Sequence, residues 1–255
     1  MLSDAGSTVP GYFIAALIAT SGIALASSAQ FAVIGWWRRG ERVFLAYAAL
    51  CLCIGALVIG DVGLRSAAGL TQAVASMRWS VGAALASFVP LVWFVQTYTG
   101  GAMPRRVMLV LVVVVAGFSW LNWVSPGTLF FSAISPMPAI VLPWGERLYR
   151  FGGALSVWGG LFHLASYAAF GWALWRTWRQ HRRGEVVRAW LLAGCLLVQF
   201  AALLWGDVVV DTLHVDVPYL DGFAFLPFVL LMSVSLAAQL RQRSTELAHA
   251  RRALE

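Results

Sequence analysis

The sequence contains no lysine and few charged residues of any kind. Only 11% of its 255 residues are charged, whereas a typical soluble domain has about 25%. Because a retinal Schiff base forms on a lysine amine, the chain cannot be a rhodopsin. The low charge content also argues against an ordinary water-soluble fold.

Potential metal ligands and thiols are scarce as well. The chain has four histidines and three cysteines, and no HExxH or HxxxH motif that would place two ligands on one helix face. Cys51, Cys53 and Cys195 lie in apolar stretches, where cysteine packs as a small apolar residue. A Walker-type glycine loop is also absent. We therefore expect no metal and no cofactor, and we identify no catalytic motif; the sequence leaves open whether the protein is an enzyme.

Apolar residues dominate what is present. They make up 60% of the chain, and the mean hydropathy is +0.78. A bilayer is crossed by about 20 consecutive apolar residues in a helix. Seven stretches meet this criterion, at residues 11–36, 43–64, 79–100, 107–123, 151–175, 189–210 and 222–240. We predict an all-α, seven-transmembrane helix bundle in residues 1–240, with no cleavable signal peptide, and the start of a cytoplasmic signalling helix in residues 241–255.

The distribution of arginines predicts the orientation of this bundle, because cytoplasmic loops are enriched in basic residues. Only Arg65, Arg78, Arg147 and Arg150 fall on one side of the predicted membrane. The other arginines follow predicted helices 1, 3, 5 and 7. The N-terminus is therefore predicted outside and the C-terminus inside, in the inner (plasma) membrane of the cell. The net charge of +7 then indicates contact with membrane lipids and no nucleic-acid partner.

Polar side chains are concentrated near the predicted outer ends of the helices. In a helix, residues four apart share a face, as Asp207 and Asp211 do in predicted helix 6. We predict a pocket for an unknown small-molecule or lipid-like ligand, and the proline- and aromatic-rich segment between helices 4 and 5 would form its lid. The predicted ligand-binding residues are Asp61, Arg78, Trp79, Trp120, Trp123, His163, Asp207 and Asp211.

A plainer interpretation of the same residues stays open. In it, the carboxylates are solvated at the head-group level and pair with Arg65 or Arg78. The tryptophans then form an interfacial belt, as they do in many membrane proteins. A lone intramembrane histidine such as His163 is also commonly a hydrogen-bonded packing residue, although ionisable groups in membranes are often functional.

The last predicted helix has a distinct C-terminal extension. No glycine or proline follows Pro227, so the helix can continue beyond the membrane. Leu240, Leu247 and Leu254 recur every seven residues, the spacing of a coiled-coil seam. We predict that these leucines transmit a signal and contribute to a homodimer. The alternative is a solvated helix end in which the leucines occur by chance.

Three segments carry a family resemblance. RWSVGAALASFVPLVWFVQTYTG (78–100) combines an initial tryptophan, a proline within the helix and a closing Tyr-Thr-Gly, and it is followed by YRFGGALSVWGGLFHLASYAAF (149–170) and VPYLDGFAFLPFVLLMSVSLAAQL (217–240). In these features the chain resembles the seven-transmembrane N-terminal sensor region of bacterial sensor histidine kinases, which also precedes cyclic-di-nucleotide enzymes.

The resemblance implies a receptor for signal transduction in a two-component system. Such a module detects an extracytoplasmic or membrane-borne cue, acts as a homodimer and drives a cytoplasmic transmitter domain in cis or in trans. The sequence itself contains no kinase or cyclase motif, so the chain is expected to be the non-catalytic sensor part. The competing expectation is a small seven-helix transporter or channel.

Overall fold

The computed structural model describes residues 11–38, 41–67, 69–212 and 217–252. These residues form seven α-helices, a β-hairpin between the fourth and fifth helices, and a π-helical segment after the sixth. In chain order the elements are α1 (Tyr12–Trp37), α2 (Arg42–Arg65), α3 (Leu70–Tyr98), α4 (Arg105–Val124), β1 (Phe131–Val141), β2 (Arg147–Leu155), α5 (Val157–Arg182), α6 (Val186–Leu204), the π segment (Trp205–Thr212) and α7 (Asp221–Arg252).

Six of these helices are long and apolar enough to cross a membrane: α1, α2, α3, α4, α6 with the start of the π segment, and α7. The prediction of a predominantly helical, multi-pass membrane protein is confirmed at this level. Helix α5 is long enough, with 26 residues, but tryptophans, glycines and His163 make its sequence less apolar. A seventh span and the orientation of the bundle stay predictions.

Helix α4 lies at the edge of the bundle, where it packs mainly on α3. Only 6% of the most apolar 18-residue stretch of this helix is buried inside the protein. Its exposed residues include a nearly continuous row of aliphatic side chains, among them Leu109, Val110, Val113 and Val114. Exposure of such a large apolar surface to water is unfavourable, so this face of α4 is suited to contact with lipid.

The β-hairpin departs from the all-α prediction and corrects the start of the fifth helix. Phe151 was predicted to open that helix, but it lies in β2, which pairs antiparallel with β1. Helix α5 begins six residues later, where the Ser156 hydroxyl accepts a hydrogen bond of 3.0 Å from the Gly159 N–H. Serine is a favoured residue at this capping position.

Two glycines make the hairpin possible. Gly145, in the connecting turn, has a φ of +87°, a left-handed conformation that glycine adopts without strain. At Gly153 the two strands approach so closely that a Cβ atom would overlap the carbonyl oxygen of Ala133. Any larger residue at position 153 would therefore force the strands apart.

The core is centred on α2, which packs against α1, α3 and α7, whereas α6 packs between α5 and α7. Its largest fully buried side chains include a group of aromatic residues, Tyr47, Phe94, Tyr98 and Phe228, whose neighbouring ring centroids lie 5.3–6.2 Å apart. We call this group the aromatic floor. It joins α2 and α3 to α7 and extends to Tyr98, the last residue of α3.

Candidate functional site

A cavity of about 270 Å³ lies among α2, α3, α5, α6 and α7, at the end of the bundle that carries the hairpin. We call this the hairpin end, and the opposite end the tail end. The segment predicted to be a lid contributes to the cavity wall through Phe130, Phe131 and Tyr149, and the hairpin adds Phe151 and Leu155, which were predicted to lie in the fifth helix. The cavity is partly open, and its lining residues would surround the inner part of a small molecule bound there.

Ionisable and polar side chains line the part of the cavity nearest the hairpin. Asp61, His163 and Asp207 come from three different helical elements. The Tyr167 hydroxyl donates a hydrogen bond to Oδ2 of Asp207. The Nδ1 atom of His163 lies 2.9 Å from the same oxygen, a distance suited to an ion pair, but without hydrogen-bond geometry. Asp221, in the first turn of α7, lines the same region.

Arg65 is the most deeply buried charged side chain of this region, with 5% of its surface exposed. Its guanidinium lies against the rings of Phe13 and Tyr219, 5.4 and 5.7 Å from their centroids. The nearest carboxylate oxygen, Oδ2 of Asp61, is 3.6 Å from Nη2, which is longer than a hydrogen bond. The Nε atom is buried and has no hydrogen-bond partner among the described residues. Arg65 thus carries a charge with little hydrogen bonding.

The other part of the cavity is mainly apolar, with Gln199 on α6 and Ser87 on α3 as polar exceptions. Leu50 and Ile54 on α2, Leu91 on α3 and Phe170 on α5 line it. Since these residues lie farther along their helices from the hairpin than the ionisable groups do, the lining changes from polar to apolar toward the middle of the bundle. Such a gradient suits an amphiphilic molecule.

The aromatic floor lies beyond the apolar part of the cavity. On α2, Tyr47 is one turn from Leu50, and on α7, Phe228 is one turn from the cavity residue Ala224. The Tyr47 hydroxyl donates a hydrogen bond of 2.6 Å to the carbonyl of Val229. The cavity therefore ends at a packed layer that is bonded directly to α7.

The π segment positions part of the site. It contains Gly206 and Asp207, which both line the cavity. A Cβ atom at Gly206 would lie 3.2 Å from the ring of Tyr219, so the glycine lets the chain before α7 approach closely. π-helical geometry is rare and is found preferentially at functional sites. Asp211 lies in the same segment, but its side chain is outside the described part of the structure.

The structure brings together only some of the predicted ligand-binding residues. Asp61, His163 and Asp207 line the cavity, whereas Arg78, Trp79, Trp120 and Trp123 are not among its lining residues. The three tryptophans are more than half exposed, which agrees with the interfacial-belt interpretation. Their predicted role in ligand binding stays untested.

Arg78 has a structural position instead. Its guanidinium donates hydrogen bonds to the carbonyls of Ser125, at 2.6 Å, and Gly127, at 3.1 Å. These carbonyls follow the last turn of α4, where backbone acceptors have no partner within the helix. The Asn122 side chain in turn donates to the backbone carbonyl of Arg78. Arg78 therefore ties the end of α4 to α3.

Several cavity residues were missed by the sequence analysis. They include Arg65, Tyr219 and Asp221, which line the cavity, and Tyr167, which donates a hydrogen bond to the cavity residue Asp207. A signal was available for two of them: Arg65 is four residues from Asp61, and Tyr167 is four residues from His163, so each pair shares a helix face. The positions of Tyr219 and Asp221 depend on how α7 packs against α6, which the sequence does not specify.

A carboxylate fastens the turn of the hairpin to α1. Glu146 accepts hydrogen bonds from the N–H groups of Phe13 (2.9 Å) and Ile14 (3.3 Å), and from Nε1 of Trp144 (2.7 Å). Burial acts to raise the pKa of Glu146, but these hydrogen bonds outweigh it and hold the pKa below its usual value. The hairpin, which forms the cover of the cavity, is thereby anchored to the first turn of α1.

At the tail end, a second polar group holds α7. The Nη2 atom of Arg188 donates hydrogen bonds to the carbonyl of Tyr98, at 3.1 Å, and to Oε1 of Gln239, at 3.2 Å. The Tyr98 hydroxyl is 2.9 Å from the hydroxyl of Ser235. We call Tyr98, Arg188 and Gln239 the tail junction. Beyond Leu240, which is half-buried against the core, the described side chains of α7 are exposed.

Comparison with known proteins yields neither a matching family model nor a matching curated protein.

Proposed function

We propose that the protein is a membrane sensor module that binds a ligand in the cavity and transmits binding through α7 to a cytoplasmic output, a histidine kinase or a cyclic-di-nucleotide enzyme. The observation that carries this proposal is the course of α7. Its first turns, at Asp221, Ala224 and Phe225, line the cavity, and the same helix continues to Arg252. One continuous helix, which contains Pro227 just after its cavity-lining turns, thus joins the site to the segment beyond the bundle.

The length of α7 supports transmission over a useful distance. Its 32 residues correspond to about 48 Å at the usual rise per residue, whereas the hydrocarbon core of a bilayer is about 30 Å thick. A change in the packing of its first turns would alter the direction of the helix at Pro227, and the helical residues after the proline would carry that change to the segment beyond the membrane.

The polar contacts of α7 suit two alternative positions of the helix. Beyond the cavity it packs through buried apolar side chains such as Met232 and Leu236, and its hydroxyl hydrogen bonds run from Tyr47 to Val229 and between Tyr98 and Ser235. Each is worth about 1 kcal/mol. A ligand can bias states that differ by a few kcal/mol, which is the range needed for switching.

The alternative function, a small transporter or channel, needs a path through the bundle. The aromatic floor favours the sensor instead, because its members are at most 1% exposed and lie between the cavity and the tail end. A site that is closed toward the tail end and contacts one protruding helix is an arrangement suited to a receptor.

The proposal includes seven membrane spans, with α5 as the one outside the six most apolar helices. It also includes an N-terminus outside and a C-terminus inside the inner membrane, since arginines are concentrated near the tail end. A homodimer would bring two α7 extensions together. Leu240 is half-buried, the Leu247 side chain is outside the described set, and Leu254 lies outside the described residues.

A bulky side chain introduced into the cavity tests whether occupancy of the cavity moves α7, and it needs no known ligand. Ala224, on α7, is 8% exposed and lines the cavity, so an Ala224→Trp variant places an indole where a ligand would lie. Ala237, on the exposed face of the same helix, gives the matched control Ala237→Trp. Spin labels at positions 106 and 242, with the native cysteines replaced, report how α7 lies relative to α4 at the tail end.

We expect the distance distribution between the labels to change in Ala224→Trp and to stay as in the parent protein in Ala237→Trp. If a folded Ala224→Trp variant gives the parent distribution, occupancy of the cavity does not move α7 and the sensor proposal is wrong.

A further inference from the structure

We propose that the cavity binds an uncharged amphiphile whose head group is a carbonyl hydrogen-bond acceptor, such as an amide, a ketone or an ester. Arg65 would donate to that carbonyl, and the hydrocarbon part would lie among the apolar residues nearer the aromatic floor. This inference rests on the proposed ligand site and specifies the chemistry of its occupant.

The first argument is the incomplete hydrogen bonding of Arg65. A guanidinium has five N–H donors, and a charge that is buried without hydrogen bonds is costly. Phe13 and Tyr219 cover the group with their rings, and Asp61 is beyond hydrogen-bonding distance at 3.6 Å. Nε has no partner among the described residues. An oxygen acceptor on a ligand would supply what the described part of the chain does not.

The second argument is the charge of the surrounding region. Asp61 already balances the charge of Arg65, and Asp207 and Asp221 line the same part of the cavity. An anionic head group would bring a further negative charge close to the carboxylate of Asp61, which already balances Arg65, and such repulsion is weakly screened away from water. A cationic head group would instead lie against the guanidinium. A neutral acceptor avoids both costs.

The third argument is the shape of the lining. Along α2, the polar Asp61 and the apolar Leu50 are about 16 Å apart by helix rise, and both line the cavity. Leu91 and Phe170 extend the apolar surface from α3 and α5. A medium-length alkyl chain attached to the carbonyl would follow this gradient and bury its surface.

The test uses probes with the same chain and different head groups. The full-length protein is placed in nanodiscs of ether-linked phosphatidylcholine, which has no ester carbonyl. Decanamide, decanoate, decylamine and decane are then added, and the midpoint of thermal unfolding is measured, because a ligand that binds the native state raises it. We expect decanamide to give the largest increase.

Substitutions assign this binding to Arg65. Arg65→Gln should weaken decanamide binding about tenfold or more, since a hydrogen bond to a charged donor is lost. Arg147→Gln is the matched control, because Arg147 is exposed at the same end and is not among the cavity-lining residues. Arg65→Lys, which keeps the charge but loses the Nε donor, serves if Arg65→Gln does not fold, and it should weaken binding too.

Asp61→Asn provides an independent check. It leaves the charge of Arg65 without its partner, so the preference should move from decanamide toward decanoate. The proposal is overturned if decanoate or decylamine binds best to the parent protein, if Arg65→Gln and Arg65→Lys keep the parent affinity, or if no probe binds.

A carbonyl can come from a free compound or from the ester groups of membrane lipids. In nanodiscs of ester-linked phosphatidylcholine, lipid carbonyls would compete with decanamide and lower its apparent affinity, whereas equal affinity in both lipids indicates a free compound. The result of this binding experiment can be distinguished from the result of the spin-label experiment that tests the sensor proposal. If the probes do not bind as expected but α7 moves in Ala224→Trp, only the ligand class is rejected. If decanamide binds as expected but α7 does not move, only the sensor proposal is rejected.

Discussion

Glu146 accepts a hydrogen bond of 2.9 Å from the backbone N–H of Phe13, a residue 133 positions earlier in the chain. The contact joins the turn of the hairpin to the first turn of α1. Helix N-termini have backbone N–H groups without intrahelical partners and favour a negative charge. Glu146 therefore caps α1 from a distant part of the sequence and fixes the cover of the cavity.

Removal of this cap should destabilise the hairpin end. We expect Glu146→Ala to lower the free energy of unfolding by about 1 kcal/mol, the usual cost of losing a capping side chain. Glu146→Gln, which keeps one oxygen acceptor, should cost less. Thermal unfolding in detergent measures both, and equal midpoints for all three proteins would show that the cap contributes nothing to stability.

The same carboxylate predicts a pH dependence. Because the pKa of Glu146 is held below its usual value in the folded protein, its contribution is fully present above the ordinary pKa of glutamate and is lost as the pH falls through the folded-state pKa. The parent protein should therefore lose stability on acidification relative to Glu146→Gln. Parallel stability curves for the two proteins at acidic pH would contradict this prediction.

The close approach of the strands at Gly153 gives a prediction for the cover itself. Gly153→Ala should disrupt the pairing of β1 and β2, because the new methyl group would overlap the carbonyl oxygen of Ala133. Gly160→Ala, in α5, is the control, since no atom apart from the adjoining residues and backbone of its own helix lies within 4 Å of the position that its new methyl group would take. Hydrogen exchange of the hairpin amides should accelerate in the first variant only, and slow exchange in both would mean that the strands can adjust.

The hydrogen bond from the Tyr47 hydroxyl to the Val229 carbonyl should couple the aromatic floor to α7. Tyr47→Phe removes the hydroxyl but keeps the ring, so we expect a loss of about 1 kcal/mol in stability. We also expect a smaller response of the 106–242 label distance to Ala224→Trp. Tyr12→Phe, at a residue that is 81% exposed, is the control. An undiminished response in Tyr47→Phe would show that the coupling follows another route.

The ionisable residues of the cavity were the part of the site most accessible from the sequence. Asp61, His163 and Asp207 stand out because charged and polar groups are costly in an apolar helix and need a reason to be there. The position of the tryptophans outside the cavity could not be predicted, because membrane helices are apolar on every side. Without an amphipathic pattern, sequence does not tell which face of such a helix is turned inward.

The hairpin and the π segment depend on information that lies beyond local pattern. Residues 151–155 continue the apolar run of α5 without a break, so the run alone suggests a helix. The capping position of Ser156 was the available signal for the true start. Strand pairing between Phe131 and Leu155 joins residues far apart in the chain, and tertiary contacts of this kind override local preference.

The extension of α7 leads to the last prediction, which concerns the homodimer. If two extensions meet along one seam, single cysteines at positions 240, 247 and 254 should form disulfides between protomers, because a seven-residue spacing keeps one face toward the partner. Leu240 is half-buried against its own core. We therefore expect weaker crosslinking there than at 247 and 254.

The background for this experiment is a chain in which the native cysteines, Cys51, Cys53 and Cys195, are replaced. Cys51 and Cys195 are buried and Cys53 is half-buried, so small apolar replacements are suitable. Cysteines at positions 242 and 249 are the controls, since they lie on other faces of the helix. Crosslinking that is strong at 247 and 254 and weak at 242 and 249 is the expected pattern. Uniform or absent crosslinking would mean that the extension is a solvated helix end, and transmission through a dimeric α7 would then lose its mechanical basis.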